Sequence, residues 1–184
     1  DANALNSLHE KSQGRKVVAL IPACDVALKS LKVPGKSERA IRLAAPYMLE
    51  DDLAQDVDKL FFAYANLTDN DEGHNCFVAA VEHEQIALWQ SWLADANITT
   101  KVMVPDALLM PAAQFSSAIA FDQQILVKNG NWQGLVIDSE SWPFVLQHWI
   151  AQNEDLVIDA YSTLPSLEGI DDVKSIEEKI QPQP

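Results

Sequence analysis

The organisation of the chain follows from one segment, SERAIRLAAPYMLEDDLAQDVDKLFFAY, at residues 37–64. Ser37 is a favourable helix N-cap, and apolar residues then recur at the spacing of one helical face. Those residues are Ile41, Ala44, Ala45 and Met48. An aromatic-rich, strand-like run ends the segment, and a group of acids lies between it and the helix. The segment therefore predicts a helix joined to a strand by an acidic turn.

Pro46 interrupts the predicted helix, since it has no backbone N–H and its ring clashes with the carbonyl four residues back. Two outcomes are open: the helix kinks at Pro46, or it ends and a second segment begins with Pro46 in its first turn. In the second case Glu50, Asp51 and Asp52 lie near a helix N-terminus. The macrodipole there stabilises each anion by about 0.3–1 kcal/mol, which explains these acids without a partner.

The acids of this segment are Glu50, Asp51, Asp52, Asp56 and Asp58. Carboxylates can hold a divalent cation or act as acid and base, but the segment lacks the central glycine and alternating ligands of an EF-hand. Consecutive acids on a helix also point to different sides, so few can converge on one ion. We therefore predict a solvated or docking surface here.

The whole chain is acidic, with a formal net charge of -14 over 184 residues. Such a chain repels phosphate backbones, so no nucleic-acid partner is predicted. A basic protein partner suits it, although charge also serves solubility alone. The two cysteines, Cys24 and Cys76, predict free buried thiols in a reducing compartment rather than a disulfide framework.

No apolar run approaches the roughly 18 residues that a membrane span requires. Asp1 is not a natural start, so we expect the chain to be a piece of a longer protein. Strand-like and helix-like runs alternate along it, which predicts an α/β fold with two mixed lobes. The expected ranges are a first lobe at 1–113, a smaller second lobe at 114–164, and a linker or tail at 165–184.

Two local predictions concern strand pairing. The runs at 17–22 and 26–33 suggest a hairpin or adjacent strands. Asn129-Gly130 predicts a two-residue hairpin turn between two later strands.

Two patterns imitate reactive sites. Gly35-Lys36-Ser37 precedes a helix as a P-loop does, but Ser30 replaces the earlier glycine and Pro34 removes an N–H donor. His74 and Cys76 alternate on one strand without the second ligand pair of a closed zinc site. No G-x-S-x-G and no glycine-rich dinucleotide motif occurs. We therefore predict no catalytic residue, no cofactor and no metal.

Two motifs resemble the type II secretion system protein L family. Residues 46–57, PYMLEDDLAQDV, match its P-[FY]-x-L-E-D-x-[LI]-A-x-D-[VI] segment. Residues 104–111, VPDALLMP, match its [VL]-P-D-x-L-x-[LI]-P segment. Their order and spacing agree with the family, as does the earlier Pro22-Ala23-x-Asp25. The resemblance covers roughly residues 17–161.

The resemblance implies the cytoplasmic domain of a single-pass bacterial inner-membrane protein. Its fold is expected to resemble the actin-like ATPases, with ribonuclease-H-like lobes, the first strands of which precede Asp1. The membrane span is expected outside this chain. The implied function is that of a non-enzymatic scaffold, which recruits the secretion ATPase, protein E, through the N-terminal domain of that ATPase. Protein M and other inner-membrane platform proteins are the further implied partners.

Actin-like ATPases hold phosphates on Asp-x-Gly hairpins, but the second-lobe hairpin here reads Asp122-Gln123-Gln124, without the glycine. A nucleotide-binding actin-like ATPase remains the alternative, and an oligomerisation module, such as a homodimer, is a third. For ATPase docking we expect acids that supply charge complementarity and apolar residues that supply contact. They are Glu50, Asp51, Asp52, Asp56 and Asp58, with Leu53 and Phe62.

Overall fold

The computed structural model describes residues 5–34, 37–67, 73–111, 116–153, 156–165 and 180–182. Contacts divide the chain into two compact units, Asp1–Pro105 (unit 1) and Asp106–Pro184 (unit 2). Two predicted features lie partly outside the described residues: the Gly35-Lys36-Ser37 pattern and the tail at 165–184.

Unit 1 has its helices at α1 (His9–Ser12), α2 (Glu38–Met48) and α3 (His83–Asp95). α2 begins where the sequence predicts, because the Ser37 hydroxyl accepts a hydrogen bond from the Ala40 N–H at 3.2 Å. The helix continues through Pro46 to Met48, so the alternative of a second helical segment is wrong. Ile41 and Ala45 before the proline, and the C-cap residue Leu49 after it, pack into one core. That packing outweighs the roughly 3 kcal/mol that an internal proline costs a helix.

The buried face of α2 differs from the predicted one at its end. Ile41, Ala45 and Leu49 are buried at intervals of four residues, and Ala44 is half-buried. Met48, which was predicted on this face, is exposed. The stripe therefore follows i, i+4, i+8 and leaves Met48 beside it.

Two small sheets complete unit 1. β2 (Ala27–Leu31) and β3 (Leu60–Asn66) both pair antiparallel with β4 (Cys76–Glu82), in the order β2-β4-β3. β1 (Ala19–Ile21) pairs in parallel with β5 (Met103–Pro105). The predicted pairing of the first two strands is therefore wrong, because each finds its partner beyond an intervening helix.

Unit 2 contains a sheet in the order β10-β9-β6-β7-β8. Its strands are β6 (Ser116–Phe121), β7 (Gln124–Asn129), β8 (Gln133–Asp138), β9 (Ile158–Ala160) and β10 (Ile180–Pro182). Helix α4 (Trp142–Gln152) packs Trp142 and Leu146 against Ile125, Val127 and Ile158 of this sheet. β10 lies within the predicted tail and pairs in parallel with β9.

The turn between β7 and β8 is longer than predicted. Asn129 belongs to β7 and pairs with Gln133, so three residues rather than two form the loop. Gly130 has a φ of 60°, which glycine adopts without the steric cost of a side chain.

Candidate functional site

The acids Glu50, Asp51 and Asp52 form an exposed 3-10 turn directly after the C-terminus of α2. Leu49 before the turn is buried, and Leu53 after it is half-buried. The Leu49 carbonyl accepts hydrogen bonds from the Asp52 N–H at 2.9 Å and the Leu53 N–H at 3.0 Å. Two apolar anchors thus hold the acids toward solvent. Because the turn follows an α-helix C-terminus, the helix macrodipole does not explain the acids.

The three acids differ in their ionic partners. Asp52 Oδ2 lies 3.5 Å from Lys29 Nζ on β2, and both side chains are exposed. Such a surface pair contributes only about 0–1 kcal/mol. Among the residues that the structure describes, Glu50 and Asp51 form no ion pair. Their charges are therefore available to a partner.

Asp56 has a role within the fold. Its carboxylate accepts a hydrogen bond from the Asp58 N–H at 3.1 Å and caps the 3-10 turn Val57–Lys59, which leads into β3. The Asp58 side chain is exposed. A substitution of Asp56 changes the turn as well as the charge, so it is a poor test of docking.

The two apolar residues predicted to contact a partner, Leu53 and Phe62, are half-buried against the core of unit 1. The Phe62 ring stacks on Tyr64 with a centroid distance of 6.3 Å. The Arg42 guanidinium lies 5.3 Å from the centroid of the Tyr64 ring. Contacts within unit 1 thus cover much of the apolar surface of Leu53 and Phe62, and that part is not accessible to a partner.

Helix α2, which precedes the acidic turn, carries three exposed large apolar side chains, Leu43, Tyr47 and Met48. They are 63%, 71% and 43% exposed. The sequence analysis did not select them as site residues. Leu43 and Tyr47, at i and i+4, were detectable as large apolar residues on the helix face opposite the buried stripe.

A groove of about 420 Å³ beside the acidic turn brings two of the sequence motifs together. Asp25, from the Pro22-Ala23-x-Asp25 motif, lines it together with Asp52 and with Glu82 at the end of β4. The Gln85 amide donates to Asp25 Oδ2 at 3.5 Å. Sequence analysis did not select Glu82 because long-range strand pairing brings it here. Within the described ranges, no group of three His, Cys, Asp or Glu side chains is placed to hold a metal ion.

Two side chains in the core of unit 1 have pKa values above their ordinary range. Burial raises the pKa of the Cys76 thiol, so this buried cysteine stays protonated and unreactive. Burial also raises the pKa of Tyr64, against the opposing effect of the Arg42 guanidinium. Cys24 differs from its prediction, because it is exposed.

Unit 2 buries a lysine that sequence analysis did not select. Lys128 on β7 is only 7% exposed, and its ammonium donates to the Leu108 carbonyl at 3.1 Å and to the Met110 carbonyl at 2.7 Å. Both carbonyls belong to the VPDALLMP motif, so Lys128 holds this motif against the sheet. Ser117 lies opposite Lys128 on β6, and its buried hydroxyl has no hydrogen-bond partner within the described part of the chain.

The hairpin between β6 and β7 turns at Asp122 and Gln123, because Phe121 pairs with Gln124. Asp122 has a φ of 56°, a left-handed conformation that favours glycine. Asp122 thus adopts this conformation itself, and side chains occupy both positions of the turn.

Comparison with known proteins identifies the family. The profile of the family described as "Type II secretion system (T2SS), protein L" matches residues 1–184. The Type II secretion system protein L of Dickeya chrysanthemi is 28% identical over 148 residues, which are 80% of this chain and 35% of that protein. The relative from Vibrio cholerae is 28% identical over 168 residues, 89% of this chain and 40% of that protein. The chain thus spans less than half the length of these relatives.

Solved structures share the fold. The cytoplasmic domain of EpsL, an inner membrane component of the type II secretion system of Vibrio cholerae, matches with a TM-score of 0.81 at 25% identity. That match covers 100% of this chain and 75% of the EpsL chain. The PilM-PilN type IV pilus biogenesis complex matches with a TM-score of 0.70 at 14% identity, over 99% of this chain and 74% of that chain.

These matches confirm the predicted α/β fold of the actin-like ATPase type. A separate finding concerns the membrane: in the described part of the chain, the helices are all too short or too polar to cross a bilayer. The profile match and the relatives together lead to one conclusion: the chain belongs to the type II secretion system protein L family.

Proposed function

We propose that this chain is a non-enzymatic scaffold of the type II secretion system, which recruits the secretion ATPase, protein E, by the N-terminal domain of that ATPase. The scaffold acts at the cytoplasmic face of the bacterial inner membrane, as the cytoplasmic part of a single-pass membrane protein. Protein M and other platform proteins are its further partners there. The observation that carries the proposal is the exposed acidic turn Glu50–Asp52 at the end of α2.

The electrostatics of the turn support a basic protein partner. Glu50 and Asp51 are exposed, form no ion pair among the described residues, and are held outward by the anchored Leu49 and Leu53. Fixed charges of one sign accelerate the encounter with a partner of the opposite sign and disfavour wrong partners. EpsL is described as an inner membrane component of the secretion system, which supports the proposed location.

The two groups with raised pKa values are accounted for by packing within unit 1. Cys76 and Tyr64 belong to the core of unit 1, and burial keeps both in their neutral forms. The nucleotide-binding alternative predicts saturable binding of ATP with Mg²⁺ in calorimetry, at micromolar concentration. We expect no such binding, and observing it would replace the scaffold proposal.

The direct test is the affinity of the ATPase N-terminal domain for a charge-reversed scaffold. The variant is Glu50→Lys with Asp51→Lys, because Asp52 pairs with Lys29 and Asp56 caps a turn. The matched control is Asp95→Lys with Glu140→Lys, two exposed acids that give the same change in net charge.

We expect the reversal to weaken binding at least tenfold at low salt, which corresponds to about 1.4 kcal/mol. The effect should shrink as salt screens the charges. The control should bind like the wild type. If the ATPase domain does not bind the wild-type chain, the recruitment proposal fails. If it binds and the reversal variant binds equally well at low salt, only the assignment of the acids fails.

A further inference from the structure

The outer face of α2 carries an apolar surface that the fold leaves uncovered. Leu43 and Tyr47 form this surface, which we call the α2 ridge, while Met48 lies beside the buried stripe and is not part of the ridge. Leu43 and Tyr47 lie one helical turn apart, at i and i+4. The opposite face of the same helix already contacts the core through Ile41, Ala45 and Leu49. A helix in a soluble domain normally presents polar residues on its outer face, so an apolar ridge there indicates an interaction site.

Charges at the two ends of the ridge differ in sign. Arg39 precedes Leu43 by one helical turn, and Glu50 and Asp51 follow the C-terminus of the helix. Within the described residues none of these three side chains forms an ion pair. Arg42, by contrast, is occupied: its guanidinium donates to the Glu38 carboxylate at 2.7 and 3.2 Å.

The length and charge of the α2 ridge determine which kind of partner can bind it. The stretch from Arg39 to Asp51 spans roughly 15–18 Å at a rise of about 1.5 Å per residue, or about three helical turns. An amphipathic helix with an apolar stripe of that length can lie along the ridge. Complementary charge requires a basic end of the partner helix beside Glu50 and Asp51, and an acidic end beside Arg39. The charges thus determine which way the partner helix runs along α2, and they also add to its affinity.

We propose that the α2 ridge binds an amphipathic helix of the secretion ATPase N-terminal domain, with the basic end of that helix at the acidic turn. This inference rests on the proposed recruitment of the ATPase and names the kind of contact that it uses. The ridge supplies most of the affinity, because large apolar side chains dominate interface energies. The acids supply the orientation.

The test compares three variants for affinity to the purified ATPase N-terminal domain. The ridge variant is Leu43→Ser with Tyr47→Ser, and it should fold because both side chains are exposed. The first control is Leu88→Ser on α3, another exposed leucine of unit 1. The second control is Leu20→Ser on β1, which removes the most exposed apolar side chain of a different groove. Circular dichroism checks that each variant is folded.

We expect the ridge variant to lose about thirtyfold in affinity, the loss typical of truncating interface anchors. This loss should persist at high salt, unlike that of the Glu50→Lys, Asp51→Lys variant. Both leucine controls should bind like the wild type.

The outcomes separate the two proposals. If the wild-type chain does not bind the domain, recruitment itself fails. If it binds and the ridge variant binds equally well, the ridge inference fails while recruitment stands. An equal loss for Leu20→Ser would place the contact at the groove lined by β1 and would also overturn the ridge inference.

Discussion

Replacing Lys128 by methionine should destabilise unit 2. Methionine keeps an unbranched side chain of similar length but has no hydrogen-bond donor. The change leaves the Leu108 and Met110 carbonyls, which accept from Lys128 at 3.1 and 2.7 Å, without this donor. Because the lysine is only 7% exposed, water cannot readily replace the ammonium. The segment that follows Pro105 thereby loses its attachment to β7.

The change in the free energy of unfolding is the difference between two opposing effects. Each buried carbonyl left without a donor costs about 1–3 kcal/mol, so two cost about 2–6 kcal/mol. Removing a buried charge also relieves part of its desolvation penalty, which reduces the net effect. We therefore expect the free energy of unfolding to fall by about 2–4 kcal/mol. Lys128→Arg keeps the charge and the hydrogen-bond donors, so its free energy of unfolding should fall by less than that of Lys128→Met.

Urea denaturation measures the loss of stability of the whole protein, and hydrogen exchange of the backbone amides at 106–110 measures the local loss. A loss of about 2.8 kcal/mol corresponds to a hundredfold faster exchange through the open state. The control is Lys59→Met, an exposed lysine of unit 1, which should change neither measurement. The reasoning is refuted if Lys128→Met keeps both the wild-type stability and the slow exchange of this segment.

Two further changes test the account of unit 1. Pro46→Ala should raise the free energy of unfolding by about 1–3 kcal/mol in urea, because it restores an N–H inside α2; a loss of stability would contradict this. In the folded protein, a thiol reagent should modify Cys24 rapidly and Cys76 only after unfolding. Because burial raises the pKa of Cys76, its contribution to stability is complete below the unfolded pKa and is lost as pH rises through the folded pKa. The stability advantage of the wild type over Cys76→Ala should therefore shrink above about pH 8.5, as followed by urea unfolding at several pH values.

Local signals in the sequence gave good predictions where neighbouring residues determine the structure. Ser37 marks the start of α2, and its hydroxyl accepts the expected kind of capping hydrogen bond. The aromatic-rich run predicted as a strand at the end of residues 37–64 forms β3 (Leu60–Asn66). In each case the period of the pattern is that of the element itself.

The errors arise where distant residues determine the outcome. Proline is unfavourable inside an isolated helix, yet α2 passes through Pro46 because its core contacts continue beyond it. Lys128 alternates with Val127 along β7 and therefore reads as a solvent-facing residue. The burial of Lys128 depends on carbonyls from a segment about twenty residues earlier, which local periodicity does not reveal.

The roles of the motif residues within the fold indicate which of them are available to a partner. The Leu108 and Met110 carbonyls bind Lys128, Leu49 and Leu53 anchor a turn, and Asp56 caps another turn. These residues have a structural reason to be present. Tyr47, Glu50 and Asp51 belong to the same motif, but they are exposed, and among the described residues Glu50 and Asp51 form no ion pair. Because these three side chains serve neither the core nor a turn, they can be replaced without loss of the fold, and they are the first positions at which recruitment should be tested.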